Sequence, residues 1–371
     1  MILNKPPEML ENNPETLLID VKDLEQYIVI NKVGPAGIQG RILSPVDENI
    51  LAMKEYFYDN GFIPYFDKTN DPMNPHIIGL VPADSKQLDM LQNPKRPPIT
   101  LNVVLFVATV FTTLLVGSLN RGGNPFHNVT DIFLGIPFSF SLLLILGGHE
   151  LGHYAVSRRY GVSVTLPYFL PIPHPLIGTM GAFIRIKSIL PNRRALIRIG
   201  AAGPIIGFIL AIPITIIGLA LSRTAKMTDF TGGIGLGSSL LFKLFSYILH
   251  PNMPKGYDLV LHPMAFAGWL GFFVTAMNLL PLGQLDGGHI AYAIFGKYRK
   301  YVTIGIIVAM VLLGLLWPGW FFWVALIVLL GLRHPKSQDE ITQIKKSDKI
   351  IALTALVVLI LAFIPVPFPI K

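Results

Sequence analysis

The chain has 371 residues, 52% of them hydrophobic and only 14% charged, with a mean hydropathy of +0.56. A soluble globular chain is roughly one quarter charged, so this balance, with several apolar stretches of about 20 residues, points to a polytopic membrane protein. The absence of cysteine excludes disulfides and thiolate metal sites, and the net charge of +8 fits basic cytoplasmic loops better than nucleic-acid binding.

The first twenty residues carry no apolar run behind a basic flank, so no cleavable signal peptide is visible. Residues 1–97 read as a small soluble α+β domain. Strand-like runs cover 27–30, 61–66 and 76–81, and a helix over 46–58 follows Ser44-Pro45. Gly34, Gly37 and Gly40 lack the strand–glycine–helix context of a phosphate site and read as a simple loop. The proline-rich basic run Asn93 to Pro98 marks the boundary with a membrane part over 98–371.

Seven apolar spans are expected, at about 99–119, 133–157, 195–221, 262–282, 300–316, 319–332 and 348–364, with Trp317-Pro318-Gly319-Trp320 forming a tight hairpin between two of them. With the N-terminus inside, the cytoplasmic side receives 17 of the Lys and Arg residues outside the soluble domain and the other side 6. That bias predicts a cytoplasmic N-terminus in a multi-pass protein, with the cell membrane as the expected location. The stretch Val162–Ile189 is apolar but too rich in proline and glycine to span as a helix, and reads as short β-strands or a re-entrant loop. Within it Arg185 and Lys187 read as interfacial anchors and His174 as structural.

The second span contains Gly147-Gly148-His149-Glu150-Leu151-Gly152-His153. Two histidines at i and i+4 lie on one helix face, where both imidazoles reach one zinc ion. Glu150 then sits beside the water that zinc acidifies towards a pKa of ~7 and can take its proton. Each ionisable residue in a span costs roughly 2.5–3.5 kcal/mol, so three in five residues argue for a function rather than for a polar cluster joining helices. His149 and His153 lie nine and five residues before Arg158, placing the ion ~8–14 Å from the cytoplasmic end of the span.

A catalytic zinc takes three protein ligands. Asp286, in Asn278-Leu279-Leu280-Pro281-Leu282-Gly283-Gln284-Leu285-Asp286-Gly287-Gly288-His289, is the leading candidate for the third, and Pro281 is expected to kink the span before it. Spacing alone does not separate Asp286 from His289.

These two motifs resemble those of the site-2 protease family of intramembrane metalloproteases, which pairs HExxH in one span with NxxPxxxLDG in a later one. His149, Glu150, His153, Asn278, Pro281, Leu285, Asp286 and Gly287 all match. The segments from Pro171 to Ala182 and from Gly200 to Pro204 are also similar, so the resemblance covers about residues 99–300. The wording Gly283 to Gly288, the soluble N-terminal domain and the extra C-terminal spans look most like the branch of plant plastids, cyanobacteria and archaea. Neither a PDZ-like insertion at 222–262 nor a CBS-like pair is visible.

The resemblance implies that Asp286 is the third zinc ligand, that Asn278 binds the substrate carbonyl or its oxyanion, and that His289 has no ligand role. It further implies that the substrates are transmembrane segments of other membrane proteins. These must unwind before hydrolysis, so an edge around Gly178, Thr179 and Gly181 is expected to hold the unwound segment by strand pairing. The competing reading is a non-hydrolytic protein that binds or transports divalent metal. Glu150 argues against it, since transport needs no carboxylate placed as a base. The oligomeric state is not legible in the sequence.

Overall fold

The computed structural model describes residues 21–34, 37–84, 98–172, 174, 176–229, 235–330 and 336–369. Most of the proline-rich boundary at 93–98, the first twenty residues and Pro173 and Pro175 therefore lie outside the described residues.

The N-terminal part folds as an antiparallel four-stranded sheet of β1 (Ile28–Gly34), β2 (Gly37–Ile42), β3 (Phe62–Lys68) and β4 (His76–Pro82), in the order β1-β2-β4-β3. Helix α1 (Val46–Asp59) buries Ile50, Met53 and Phe57 against Ile28, Ile38 and Phe66 of the sheet. Of the glycines read as a loop, Gly34 instead ends β1, and Gly37 and Gly40 lie in β2, which pairs with it. A Cβ at Gly37 would stand 2.1 Å from the Ile78 carbonyl oxygen and one at Gly40 2.0 Å from that of Val29. These glycines let neighbouring backbones close on each other, a use that a search for phosphate loops does not detect.

The remaining helices are α2 (Thr100–Leu119), α3 (Ile136–Arg159), α4 (Arg193–Ala220), α5 (Leu240–Leu249), α6 (Pro263–Leu279), α7 (Asp286–Phe295), α8 (Arg299–Gly314), α9 (Gly319–Leu330) and α10 (Lys346–Ala362). Seven of them lie on the seven apolar runs. Among the described residues, three helical stretches are long and apolar enough to cross a membrane, Thr100–Leu119, Val129–Arg159 and Arg193–Ala220. The architecture is a membrane-type helical assembly with a small N-terminal sheet. Trp317 and Trp320 meet edge to face at 5.9 Å between α8 and α9, forming the expected helical hairpin.

Small residues set how closely the central helices approach. In lipid, where apolar side chains gain nothing by leaving water, helices associate by tight packing of small residues and by hydrogen bonds. Gly148 and Gly152 of α3 face Leu210 and the Ala202 carbonyl of α4, and a Cβ at Gly152 would come within 2.8 Å of that carbonyl oxygen. Between α2 and α3, Gly117 meets Gly135, and Thr113 Oγ1 is hydrogen-bonded to Ser139 Oγ at 2.7 Å.

The expected re-entrant segment is an antiparallel hairpin of β5 (Tyr168–Pro171) and β6 (Thr179–Phe183), extended by a bridge between Val164 and Ile186. It lies on α2, where the buried Asn102 side chain donates to the Leu166 and Pro167 carbonyls at 2.8 and 2.9 Å.

The sheet is tied to the helices by buried polar contacts. Lys54 of α1 donates to the Pro191 carbonyl at 3.2 Å and lies over the Phe66 ring. Burial pushes the Lys54 ammonium below the usual lysine value of 10.5, and nearby Asp339 pulls it partly back up. A depressed value means that docking costs the charged form. The stability of the docked arrangement therefore rises as pH climbs through the folded value towards 10.5, and is lost on the way down. Limited proteolysis between α1 and α2, followed from neutral to alkaline pH, should show this rise in wild type and a flat response in Lys54→Met.

Candidate metal centre

Three helices supply the centre. His149, Glu150 and His153 lie on α3, all buried, with 4%, 7% and 6% of their surface exposed. Asn278 lies in the last turn of α6. The helix ends at Leu279, so Pro281 terminates it rather than kinking it. Residues 280–285 turn the chain, and Asp286 is the first residue of the separate short helix α7 rather than the end of the preceding span. The two glycines after it make that turn possible. A Cβ on Gly287 would lie 1.9 Å from the Leu279 carbonyl oxygen, and one on Gly288 2.5 Å from that of Gly283. An acidic residue in a first helical turn also lies favourably in the helix dipole.

The His149 Nε2, His153 Nε2 and Asp286 Oδ2 atoms form a triangle with all three sides 3.2 Å. His153 Nδ1 is 2.7 Å from the Ile199 carbonyl of α4. A carbonyl only accepts, so Nδ1 is the donor and the neutral ring turns its Nε2 lone pair towards the triangle. Asn278 Nδ2 lies 3.4 Å from His149 Nε2, at the edge of the triangle. Three electron-rich atoms therefore converge in a buried place, an arrangement that is costly unless a cation lies among them. Ligands ~2.0–2.1 Å from a tetrahedral zinc stand ~3.3 Å apart, so the donor chemistry and the spacing both fit that ion. Among the described residues, this trio is the one group of histidine and carboxylate side chains able to hold a metal.

Other expected positions fall differently. His289 sits one turn beyond Asp286 beside Ile186, Leu190, Leu196 and Ile199, outside the ligand trio. His174 is exposed at the hairpin tip, where its Nδ1 accepts from the Leu176 amide at 3.3 Å. Gly178, with φ +74, is pressed against α2, and a Cβ there would meet the Thr112 carbonyl oxygen at 2.7 Å. Thr179 Oγ1 donates to the Leu170 carbonyl at 2.8 Å and accepts from the Gly181 amide at 3.0 Å, bracing the hairpin. Gly181, with φ +97, has open space around its Cβ position.

Some contributors were not singled out from the sequence. The β6 strand packs against α3 and links the hairpin to the helix that carries His149, Glu150 and His153. On α4, Gly200, Gly203 and Gly207 each lie beside one ligand: the Asp286 backbone, the His153 ring and the His149 ring. Their spacing of three and four residues on an apolar helix is the available signal, since it places them on one face.

Residues 137–317 match the sequence model of Peptidase family M50, a region holding all five of these site residues. This stretch of the chain is thus similar to Peptidase family M50. It is 31% identical over 255 residues to the probable zinc metalloprotease EGY2, chloroplastic, of Arabidopsis thaliana, covering 66% of this chain and 44% of that protein. It is 29% identical to the probable zinc metalloprotease EGY3, chloroplastic, of Oryza sativa subsp. indica, covering 91% of this chain and 61% of that protein. The chain thus spans about half the length of the curated relatives it matches. A site-2 protease from Methanocaldococcus jannaschii is similar at 19% identity and a TM-score of 0.28, over 69% of this chain and 86% of that one.

Proposed function

We propose that this chain is an intramembrane zinc metalloendopeptidase that hydrolyses peptide bonds within the transmembrane segments of other membrane proteins. The observation that carries this reading is the 3.2 Å triangle of His149 Nε2, His153 Nε2 and Asp286 Oδ2 with Glu150 beside it, buried among apolar helices. Those three side chains would hold zinc, which when bound acidifies water and polarises a carbonyl.

Glu150 accepts the proton of the attacking water on its carboxylate and returns it to the leaving amine. Asn278 donates from Nδ2 to the scissile carbonyl as negative charge develops on its oxygen. The β5–β6 hairpin, packed on α3 through β6, offers the unwound substrate an edge at β6. Gly181, with free space at its Cβ position, is better suited to close approach there than Gly178, which α2 already covers.

The remaining helices complete a seven-span arrangement with the N-terminus cytoplasmic, in the cell membrane. In support, the N-terminal sheet docks onto Pro191 and onto residues 336–340, which fall on the cytoplasmic side of that topology.

The test is metal removal in vesicles. Purified protein should contain one zinc per chain, lose cleavage of a single-span substrate when stripped with a chelator, and recover it on adding zinc. Zinc flux across the vesicle without cleavage would overturn the reading in favour of a metal carrier.

A further inference from the structure

The segment between α9 and α10 holds together parts of the molecule far apart in sequence. Its backbone extends the N-terminal sheet. The Phe66 amide donates to the Gln338 carbonyl, and the Glu340 amide donates to the Phe66 carbonyl, both at 2.9 Å. The Gln338 amide donates to the Leu190 carbonyl, also at 2.9 Å. The Glu340 side chain then reaches the helices around the metal centre. Its Oε1 accepts from the Tyr292 hydroxyl and from the Ser337 hydroxyl, each at 2.7 Å, and its Oε2 lies 3.9 Å from Arg193 Nε. Arg193, the first residue of α4, also donates to the Ala293 carbonyl.

Tyr292 and Ala293 lie on α7, six and seven residues after Asp286, so the ligand and its tether are ~9–10 Å apart along one rigid element. α7 has only 10 residues, too few to be a stable helix by itself, and it follows a turn containing Gly283. The position of Asp286 therefore depends on what grips the other end of α7. α4, held by the same group, bears the Ile199 carbonyl that orients His153.

We propose that Glu340 and Tyr292 are positioning residues for the metal centre. They fix α7 against α4, so that Asp286 Oδ2 and His153 Nε2 stay at ligand spacing, and they couple the docked N-terminal sheet to metal retention. The proposal rests on the reading of the centre as a zinc site.

The test measures zinc affinity by competition with a chromophoric chelator on the full chain in detergent, with thermal unfolding recorded alongside. Tyr292→Phe and Glu340→Ala should each weaken zinc by about tenfold or more, as loss of groups that orient ligands does. The double variant should be no weaker than the worse single one. Glu340→Gln, which keeps an acceptor oxygen for the Tyr292 hydroxyl, should recover most of the affinity. Folded Tyr292→Phe with wild-type zinc affinity would overturn the proposal, even if its unfolding temperature drops, and so would additive losses in the double variant. Tyr292→Phe removes one hydroxyl and keeps the ring, so it decides the matter where Glu340→Ala does not fold. Wild-type protein that binds no zinc would sink the underlying reading together with the proposal. Wild type that binds zinc no better than its variants would sink the proposal alone.

Discussion

Glu150→Gln is expected to slow cleavage of a transmembrane substrate by ~10²–10⁴-fold, the usual contribution of a positioned general base, with one zinc per chain retained. Glutamine has nearly the same volume, so the packing of α3 at this buried position is preserved. What it loses is the capacity to take a proton and pass it on. Because His149, His153 and Asp286 are untouched, the change separates holding the ion from using it. Cleavage of a fluorescent single-span substrate, scored with zinc content on the same sample, reads both quantities. A variant that cuts at the wild-type rate would remove the proposed mechanism. One that loses zinc along with activity would instead assign Glu150 to the integrity of the site.

The legible parts of the fold are those written in contiguous stretches. Seven apolar runs announce their helices because a contiguous apolar stretch needs no partner to be seen, and among the described residues three helical stretches reach the length and apolarity needed to cross a membrane. The His149-Glu150-His153 pattern is equally local, since one helical turn brings the two rings together. What escaped depends on contacts distant in sequence. The chain from Asn278 to His289 reads as a span with an acidic end, yet Gly287 and Gly288 pack against carbonyls at 279 and 283, and that return turn starts a second helix. Residues 336–345 look like an ordinary polar loop of balanced charge. Their role becomes visible only once Phe66, Leu190 and Tyr292 are found beside them in space. The strand at Gly37–Ile42 was hidden because glycine lowers strand propensity, and here it is tolerated for the close approach it permits.

Gly203→Ala separates the function of α4 from its stability as a helix. By intrinsic propensity the change should stabilise α4 by roughly 1 kcal/mol, because alanine is the best helix former and glycine among the worst. The structure predicts damage instead. A Cβ at residue 203 would lie 2.2 Å from His153 Nε2 and 2.4 Å from Cδ2 of the same ring. The ring cannot simply turn aside, because its Nδ1 is held by the Ile199 carbonyl one turn earlier on the same helix. Relief requires α4 to move away from α3, or His153 to give up the Ile199 bond and with it the direction of its lone pair. Backing away is resisted by the α3–α4 contact, where Gly152 faces the Ala202 carbonyl. We therefore expect zinc affinity to fall by about 10–100-fold, in line with the loss of an orienting contact, with cleavage falling in parallel at limiting zinc. Helical content by circular dichroism should be unchanged. Gly305→Ala on α8, where nothing lies within 4 Å of the Cβ position, is the control and should leave zinc affinity at the wild-type value. Equal zinc affinity for Gly203→Ala and that control would mean that contact with α4 does not set the position of His153.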